Sequence, residues 1–400
     1  MADIRHWQHH IHSETETITA PSGQSKNPEG VFVCTFTEGE YVMPANVKVS
    51  TENTASGYSV KIRRGLIERL GIEILRLEDD TEHEVLLITD EKVSGLYLQK
   101  VIMNFQECPR PEGTKLRICE LLIDSHEPAK NFQTVAKLLE DMARLGLSER
   151  CCVVALGGCV VCDAAGFAAG CYMNGVRLVL VPTTLAAMVK ASAGGHARLN
   201  LNAGGNLAGM SYSPSLVLCD TDSLKTLPPD EYRSGVAEAL KTSIVCGEDM
   251  FRIFERGEAD GNIERIIEEC IKFRAGISGN DERIRGLKLG CVVGSAICSL
   301  SSYDVQHGIA TAQGIGITAM ASAKMGWCSE ETAKRIIGAL NRNNLPDNTN
   351  SFRPSEIAQA ARRSWGGIVD MVVPAEIGRC EVRKVKSEEL EGIISAGMNR

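Results

Sequence analysis

Val153-Val154-Ala155-Leu156-Gly157-Gly158-Cys159-Val160-Val161-Cys162-Asp163-Ala164-Ala165-Gly166-Phe167 is a buried strand that runs through two glycines into small residues and then a helix. A glycine turn of this kind lets backbone N–H groups approach a phosphate at the start of the helix. Glycine-rich turns also serve simple close packing, and the segment is not a G-x-G-x-x-G pattern. Nucleotide binding and packing therefore both remain open from this stretch alone.

The same grammar continues on either side. Tyr58-Ser59-Val60-Lys61-Ile62, an amphipathic segment from Leu66 to Leu75, and Val85-Leu86-Leu87-Ile88-Thr89-Asp90 read as strand, helix and strand. Further apolar strands are predicted at Leu116 to Leu122, Cys152 to Leu156 and Leu178 to Val181, with helical segments between them. That alternation predicts an α/β protein whose mainly parallel sheet is covered on both faces, with ligands beyond the carboxyl ends of the strands. After about Ser215 the periodicity is mostly helical, with candidates at Pro229 to Ile244, Ile263 to Ile277, Gly294 to Ser301 and Ile309 to Met325, and a terminal strand at Ile368 to Val373. The expected organisation is an accessory extension over residues 1–56, a Rossmann-like parallel-sheet domain over 57–215 and an α-helical metal and substrate domain over 216–400. The cleft between the two domains is the default site. His6, His9, His10 and His12 in the polar extension read as a solvated terminus or an adventitious metal site.

At 400 residues the chain exceeds what one core usually supports, which favours two domains. Its 44% hydrophobic and 24% charged residues are ordinary for a globular enzyme, and no apolar run approaches the roughly 20 residues needed to span a bilayer. A net charge of -8 gives no global field for a phosphate backbone, so neither nucleic acid nor membrane is an expected partner. The fifteen cysteines read as reduced, mostly core thiols. With no basic-then-apolar leader near Met1, they point to the cytoplasm.

Four further segments sharpen the reading: Val181-Pro182-Thr183-Thr184; Lys190-Ala191-Ser192-Ala193-Gly194-Gly195-His196; Asp220 to Pro228; and Arg233-Ser234-Gly235-Val236-Ala237-Glu238-Ala239-Leu240-Lys241. In order and spacing, together with Ser125 to Lys130 upstream and Gln306-His307-Gly308 to Ile377-Gly378 downstream, they resemble the 3-dehydroquinate synthase family over roughly residues 57–396. The resemblance implies an NAD-binding N-terminal domain, a helical domain carrying zinc or another divalent metal, a phosphorylated sugar acid held between them, and a homodimer. It implies NAD contacts at Asp90, Glu127, Lys130, Gly158, Asp163, Thr183, Thr184 and Thr226. Taken singly, each of these serves equally as a turn or cap residue. It implies metal ligands at Glu238, Cys291 and His307, where the family's middle ligand is histidine; thiolate is itself a good zinc ligand. Lys241 and Asn206 match retained catalytic positions, and Arg274 stands for a lysine.

The family's reaction uses NAD transiently. Oxidation of one hydroxyl acidifies the neighbouring C–H, phosphate leaves, the ketone is reduced again, and the opened enol pyranose closes by an aldol step. Several positions depart from the family's pattern. Lys190 stands for aspartate, His196 and Gly205 for lysines, Asn174 for arginine, Ser295 for a second histidine and Lys288 for asparagine. Arg362 and Arg363 stand near a Lys-Lys pair, and Arg283 and Arg285 are candidates for a further substrate arginine. Cys159 and Cys162 replace glycines and also form a Cys-x-x-Cys spacing, which admits a metal or redox reading. Three functions compete: a cyclase of this family, altered or weakened; a catalytically inactive homologue with a nucleotide-binding or regulatory role; and a dehydrogenase with net NAD reduction.

Overall fold

Alternate residues of the central strands face two different cores, which is why these strands read as unbroken apolar runs. Leu86, Ile88, Val153, Ala155, Leu178, Leu180, Val217 and Cys219 face one side, and Val85, Leu87, Cys152, Val154, Val179, Val181, Leu216 and Leu218 face the other. The computed structural model describes residues 45–51, 54–77, 82–190, 194–202, 204–277 and 281–399. The N-terminal histidines lie outside them.

The strands are β1 (Ala45–Thr51), β2 (Thr54–Arg63), β3 (Glu82–Thr89), β4 (Lys115–Leu122), β5 (Cys152–Gly157), β6 (Arg177–Pro182), β7 (His196–Leu201), β8 (Gly204–Ser211), β9 (Leu216–Asp220), β10 (Ile368–Glu376) and β11 (Arg379–Lys386). Seven of them form one sheet in the order β1-β2-β9-β6-β5-β3-β4, parallel throughout except for the edge strand β1. On one face, Leu66, Leu70, Val101 and Phe105 close the core; on the other, Val135, Leu138 and Met142 of helix Phe132–Arg144 and the alanines of helix Cys159–Cys171 do so. The strand order reverses between β3 and β5, so their carboxyl ends flank the crevice at which such sheets take ligands.

Two boundaries differ from expectation. The sheet begins inside the anticipated extension, because Val47 and Val49 of β1 alternate into the core and pair against β2. It also reaches past Ser215, because β9 inserts between β2 and β6. Four apolar residues shortly after a proline leave too short a signal to separate a buried strand from the helical text that follows.

From Pro229 onward the chain is helical: Pro229–Cys246, Glu248–Glu255, Ile263–Ala275, Cys291–Leu300, His307–Lys324, Glu330–Arg342, Pro354–Trp365 and Leu390–Met398 are the main helices. Their inner faces share a core with the sheet through Val236, Leu240, Ile267 and Ile315. The anticipated terminal strand is β10, and it forms an antiparallel hairpin with β11. The β7–β8 hairpin stands apart from the main sheet. No helix among the described residues is long and apolar enough to cross a membrane.

Candidate functional site

At the switch point, β5 ends in Gly157 and Gly158, and helix Cys159–Cys171 follows at once. The two glycines answer different needs. A Cβ on Gly157 would lie 2.7 Å from Val161 Cγ2, whereas one on Gly158 would meet only Thr184 Cγ2 at 3.3 Å. Gly157 is thus required by packing, and Gly158 leaves a backbone approach open beside an N-cap that makes no side-chain cap bond. Thr183, at the end of the neighbouring β6, is buried with an Oγ1 that has no hydrogen-bond partner. The other hydroxyls and the carboxylate here have local duties. Asp90 Oδ1 accepts from the N–H groups of Lys92 and Val93, Thr184 Oγ1 accepts from Ala187 N–H, and Thr226 Oγ1 bonds Tyr97 Oη at 2.6 Å.

A second group ties the β7–β8 hairpin to the sheet. The buried Lys130 ammonium donates to Asn206 Oδ1 at 2.6 Å and Asp163 Oδ2 at 3.1 Å, and pairs with Glu127 Oε1 at 3.2 Å. Asn200 donates to Glu127 Oε1 at 2.9 Å and accepts from Asn206 N–H at 2.8 Å. Burial opposes the lysine's charge, but Asp163 and Glu127 outweigh it and raise its pKa. Asp163 is raised as well, by burial. Asn206 sits at φ +57, a left-handed conformation that asparagine tolerates better than most side chains.

The third group centres on Glu238, which is 1% exposed and lies midway along helix Pro229–Cys246. Its Oε2 accepts from Lys241 Nζ at 2.7 Å, one helical turn on. Its Oε1 faces Lys190 Nζ and His307 Nε2, each at 3.4 Å, and makes no hydrogen bond. Burial opposes ionisation of Glu238, yet Lys190, Lys241 and His307 together hold it well below the usual carboxylate range. Desolvation first and the Lys190 ammonium second push His307 down to about 4, so its imidazole is neutral at physiological pH. Arg274, partly buried, donates to Thr242 Oγ1 at 3.4 Å and keeps an unpartnered Nε; it lies within the electrostatic reach of Glu238.

Comparison with known proteins bears directly on this arrangement. The family model described as 3-dehydroquinate synthase N-terminal matches residues 120–234, and its C-terminal counterpart matches residues 235–364. The 3-dehydroquinate synthase of Pelobacter propionicus is 33% identical over 349 residues, covering 84% of this chain and 95% of that one. The chain belongs to the 3-dehydroquinate synthase family. Among solved structures, 2-deoxy-scyllo-inosose synthase complexed with carbaglucose-6-phosphate, NAD+ and Co2+ matches with a TM-score of 0.75 at 21% identity, covering 87% of this chain and 99% of that one. The 2-epi-5-epi-valiolone synthase of Streptomyces hygroscopicus, with NAD+ and Zn2+ bound, matches with a TM-score of 0.72 at 22% identity, covering 88% and 99%. The fold is therefore that of the sugar-phosphate cyclases.

Among the anticipated residues, Glu127, Lys130, Asp163 and Asn206 form one of these groups, and Glu238, Lys241 and His307 another. Cys291 opens helix Cys291–Leu300, and among the described residues no three His, Cys, Asp or Glu side chains converge to hold a metal. Glu238 and His307 meet at 3.4 Å. Asn174 lies beyond the far end of the helix that starts at Gly158, roughly 20 Å along its axis at 1.5 Å per residue. It adopts φ +64, which suits asparagine better than an arginine. Arg362 donates to Ser387 O at 2.6 Å, and Arg283 is engaged by Asp281 at 2.6 Å, so both have structural partners.

Cys162 is buried, and burial pushes its thiol well up and that of Cys159 to about 11, the reverse of a reactive redox pair. The described cysteines are free thiols. Two contributors escaped the sequence reading. Asn200 couples Glu127 to Asn206, and Arg198 stands close enough to Arg274 to lower its pKa. Alternating strand text marks both as β7 residues, but only the hairpin's return across Lys130 gives them a role.

Proposed function

We propose that the chain is an NAD-dependent sugar-phosphate cyclase of the 3-dehydroquinate synthase type, acting on a phosphorylated sugar acid by phosphate elimination and ring closure, with activity altered by its active-site replacements. The observation that carries this reading is the gathering of Lys241, His307 and Lys190 on the buried Glu238 carboxylate, with Arg274 in electrostatic reach. NAD fits the residues present: Gly158 keeps the pyrophosphate approach clear, and Thr183 offers an unused buried hydroxyl at the same strand ends. When bound, NAD supplies a transient hydride acceptor and donor.

The protein's own groups do the positioning. Lys241 Nζ can donate a proton from its place on Glu238, and the unpartnered Nε edge of Arg274 suits a phosphate or carboxylate oxygen. For a divalent metal, Glu238 Oε1 and His307 Nε2 are donors that fit, two short of the usual tetrahedral set. A metal held there would polarise a substrate hydroxyl or ketone oxygen. A homodimer in the reducing cytoplasm, within aromatic amino acid biosynthesis, completes the reading; the free cysteines support that compartment.

The test is phosphate release from the seven-carbon precursor by purified protein, with NAD content measured in the same sample. One phosphate per turnover without accumulating NADH, lost in Lys241→Ala, supports the cyclase. Net NADH formation with small polyols points instead to a dehydrogenase. Bound NAD without phosphate release leaves the inactive, nucleotide-binding homologue, a reading that the incomplete donor set favours.

A further inference from the structure

Glu238 Oε1 is a buried carboxylate oxygen with no hydrogen bond, facing the Nε2 of His307 at 3.4 Å. Two electron-pair donors turned toward each other, one buried and one partly exposed, define a gap for a cation. The cation nearest that gap is the chain's own: Lys190 Nζ lies 3.4 Å from the same Oε1. Lys190 ends helix Leu185–Lys190 and projects from the sheet side, whereas Glu238 and His307 come from two helices of the C-terminal part. Lys241 does not compete for this place, because it holds the opposite oxygen at 2.7 Å. About a third of the Lys190 side chain is exposed, so its flexible stem has solvent to move into.

We propose that Lys190 is the resident cation of this site: its ammonium holds the place beside Glu238 and His307 that a divalent ion can enter only by displacing it, so Lys190 sets how tightly the protein binds metal. The inference rests on reading Glu238 and His307 as the metal donors of the proposed cyclase. Its physics is simple. A divalent ion on Oε1 would lie a few ångströms from a like positive charge beside a buried carboxylate, and the two repel. Removing that charge removes both the repulsion and the competitor. The carboxylate and the imidazole are then left with an unmet need that zinc satisfies.

The experiment is an equilibrium zinc titration of the full chain against a chromophoric chelator, on wild type, Lys190→Ala and Lys190→Gln, each with and without Glu238→Gln. Circular dichroism checks that every variant is folded, and Lys190→Gln retains side-chain volume should the alanine variant collapse. Both Lys190 variants are expected to bind one zinc at least 10-fold more tightly than wild type, with the gain abolished by Glu238→Gln. Equal affinity in wild type and Lys190 variants overturns the inference. So does a gain that survives Glu238→Gln, since the metal would then be held elsewhere. Phosphate release is scored separately: its absence alongside a Lys190-dependent zinc shift counts against the cyclase reading and leaves this inference standing.

Discussion

Lys130 and Asn206 meet through a 2.6 Å hydrogen bond from the lysine ammonium to the asparagine Oδ1, 76 positions apart in sequence. The contact joins the loop after β4 to the β7–β8 hairpin and fixes one wall of the site. Lys130→Met is expected to cost about 2–4 kcal/mol in urea unfolding, because it leaves the partly buried Asp163 and Glu127 beside each other without their shared cation. Asn206→Ala is expected to cost less, about 1–3 kcal/mol, since the ammonium keeps two carboxylate partners. The double variant should fall short of the sum of the two, because both remove the same bond.

The two glycines of the β5 turn separate stability from cofactor binding. Gly157→Ala forces a Cβ to 2.7 Å from Val161 Cγ2, an overpacking expected to cost about 1–3 kcal/mol. Gly158→Ala meets only Thr184 at 3.3 Å, so its melting temperature should stay near wild type. NAD affinity, read by isothermal titration, should weaken more in Gly158→Val than in Gly157→Ala once folded fractions are matched. Equal weakening in both would remove the assignment of Gly158 to the pyrophosphate.

The legibility of this fold followed the length of each signal. The β3, β5 and β6 strands, and the long helices that contain Glu238 and His307, carry enough apolar text to be found from sequence, and linked motifs marked the family. β9 escaped because five residues beside a proline carry little periodicity, and the β7–β8 hairpin was not among the predicted strands because its glycines interrupt the alternation. In the site, a substitution such as Lys190 for aspartate was visible as a change of charge. Its partner was not: that Lys190 faces the very carboxylate read as a metal ligand depends on how two distant segments pack.

Arg335 supplies a pH-dependent staple away from the site. Its guanidinium grips Glu248 at 2.7 and 2.8 Å and Glu255 at 2.7 Å, and lies 5.4 Å from the ring centre of Phe251. Its hydrogen bonds are the main cause holding both carboxyls below their ordinary value of 4.5. A depressed folded-state pKa means that the stabilisation is present above about pH 4.5 and is lost as the pH falls through the lower folded values. Arg335→Ala should therefore lower stability near neutral pH by about 1–2 kcal/mol, a modest figure for a partly exposed pair. The difference from wild type should shrink on acidification. A difference that stays constant down to pH 3 would show that lost packing on Phe251, and not charge, is the cause.

At the alkaline end the buried thiols set the limit. A thiol at the start of a helix usually ionises more easily, yet burial prevails here and pushes Cys159 to about 11 and Cys151, Cys270 and Cys298 to about 12. In the unfolded chain the same groups ionise near 9. A folded pKa above the unfolded one gives stability that is complete below pH 9 and declines as the pH rises toward 11 and 12, because the unfolded chain releases its protons first. Melting temperature should accordingly fall steeply between pH 9 and 11. Cys270→Ala and Cys151→Ala should each flatten that fall while costing some stability at pH 7 through the space they leave. Mass spectrometry after brief iodoacetamide treatment at pH 8 gives the independent check: the exposed Cys171 should be labelled first, and Cys162 only after denaturation. Rapid labelling of Cys159 and Cys162 together, or a disulfide between them under mild oxidation, would mean that the helix start outweighs burial and that the Cys-x-x-Cys spacing is a redox pair after all.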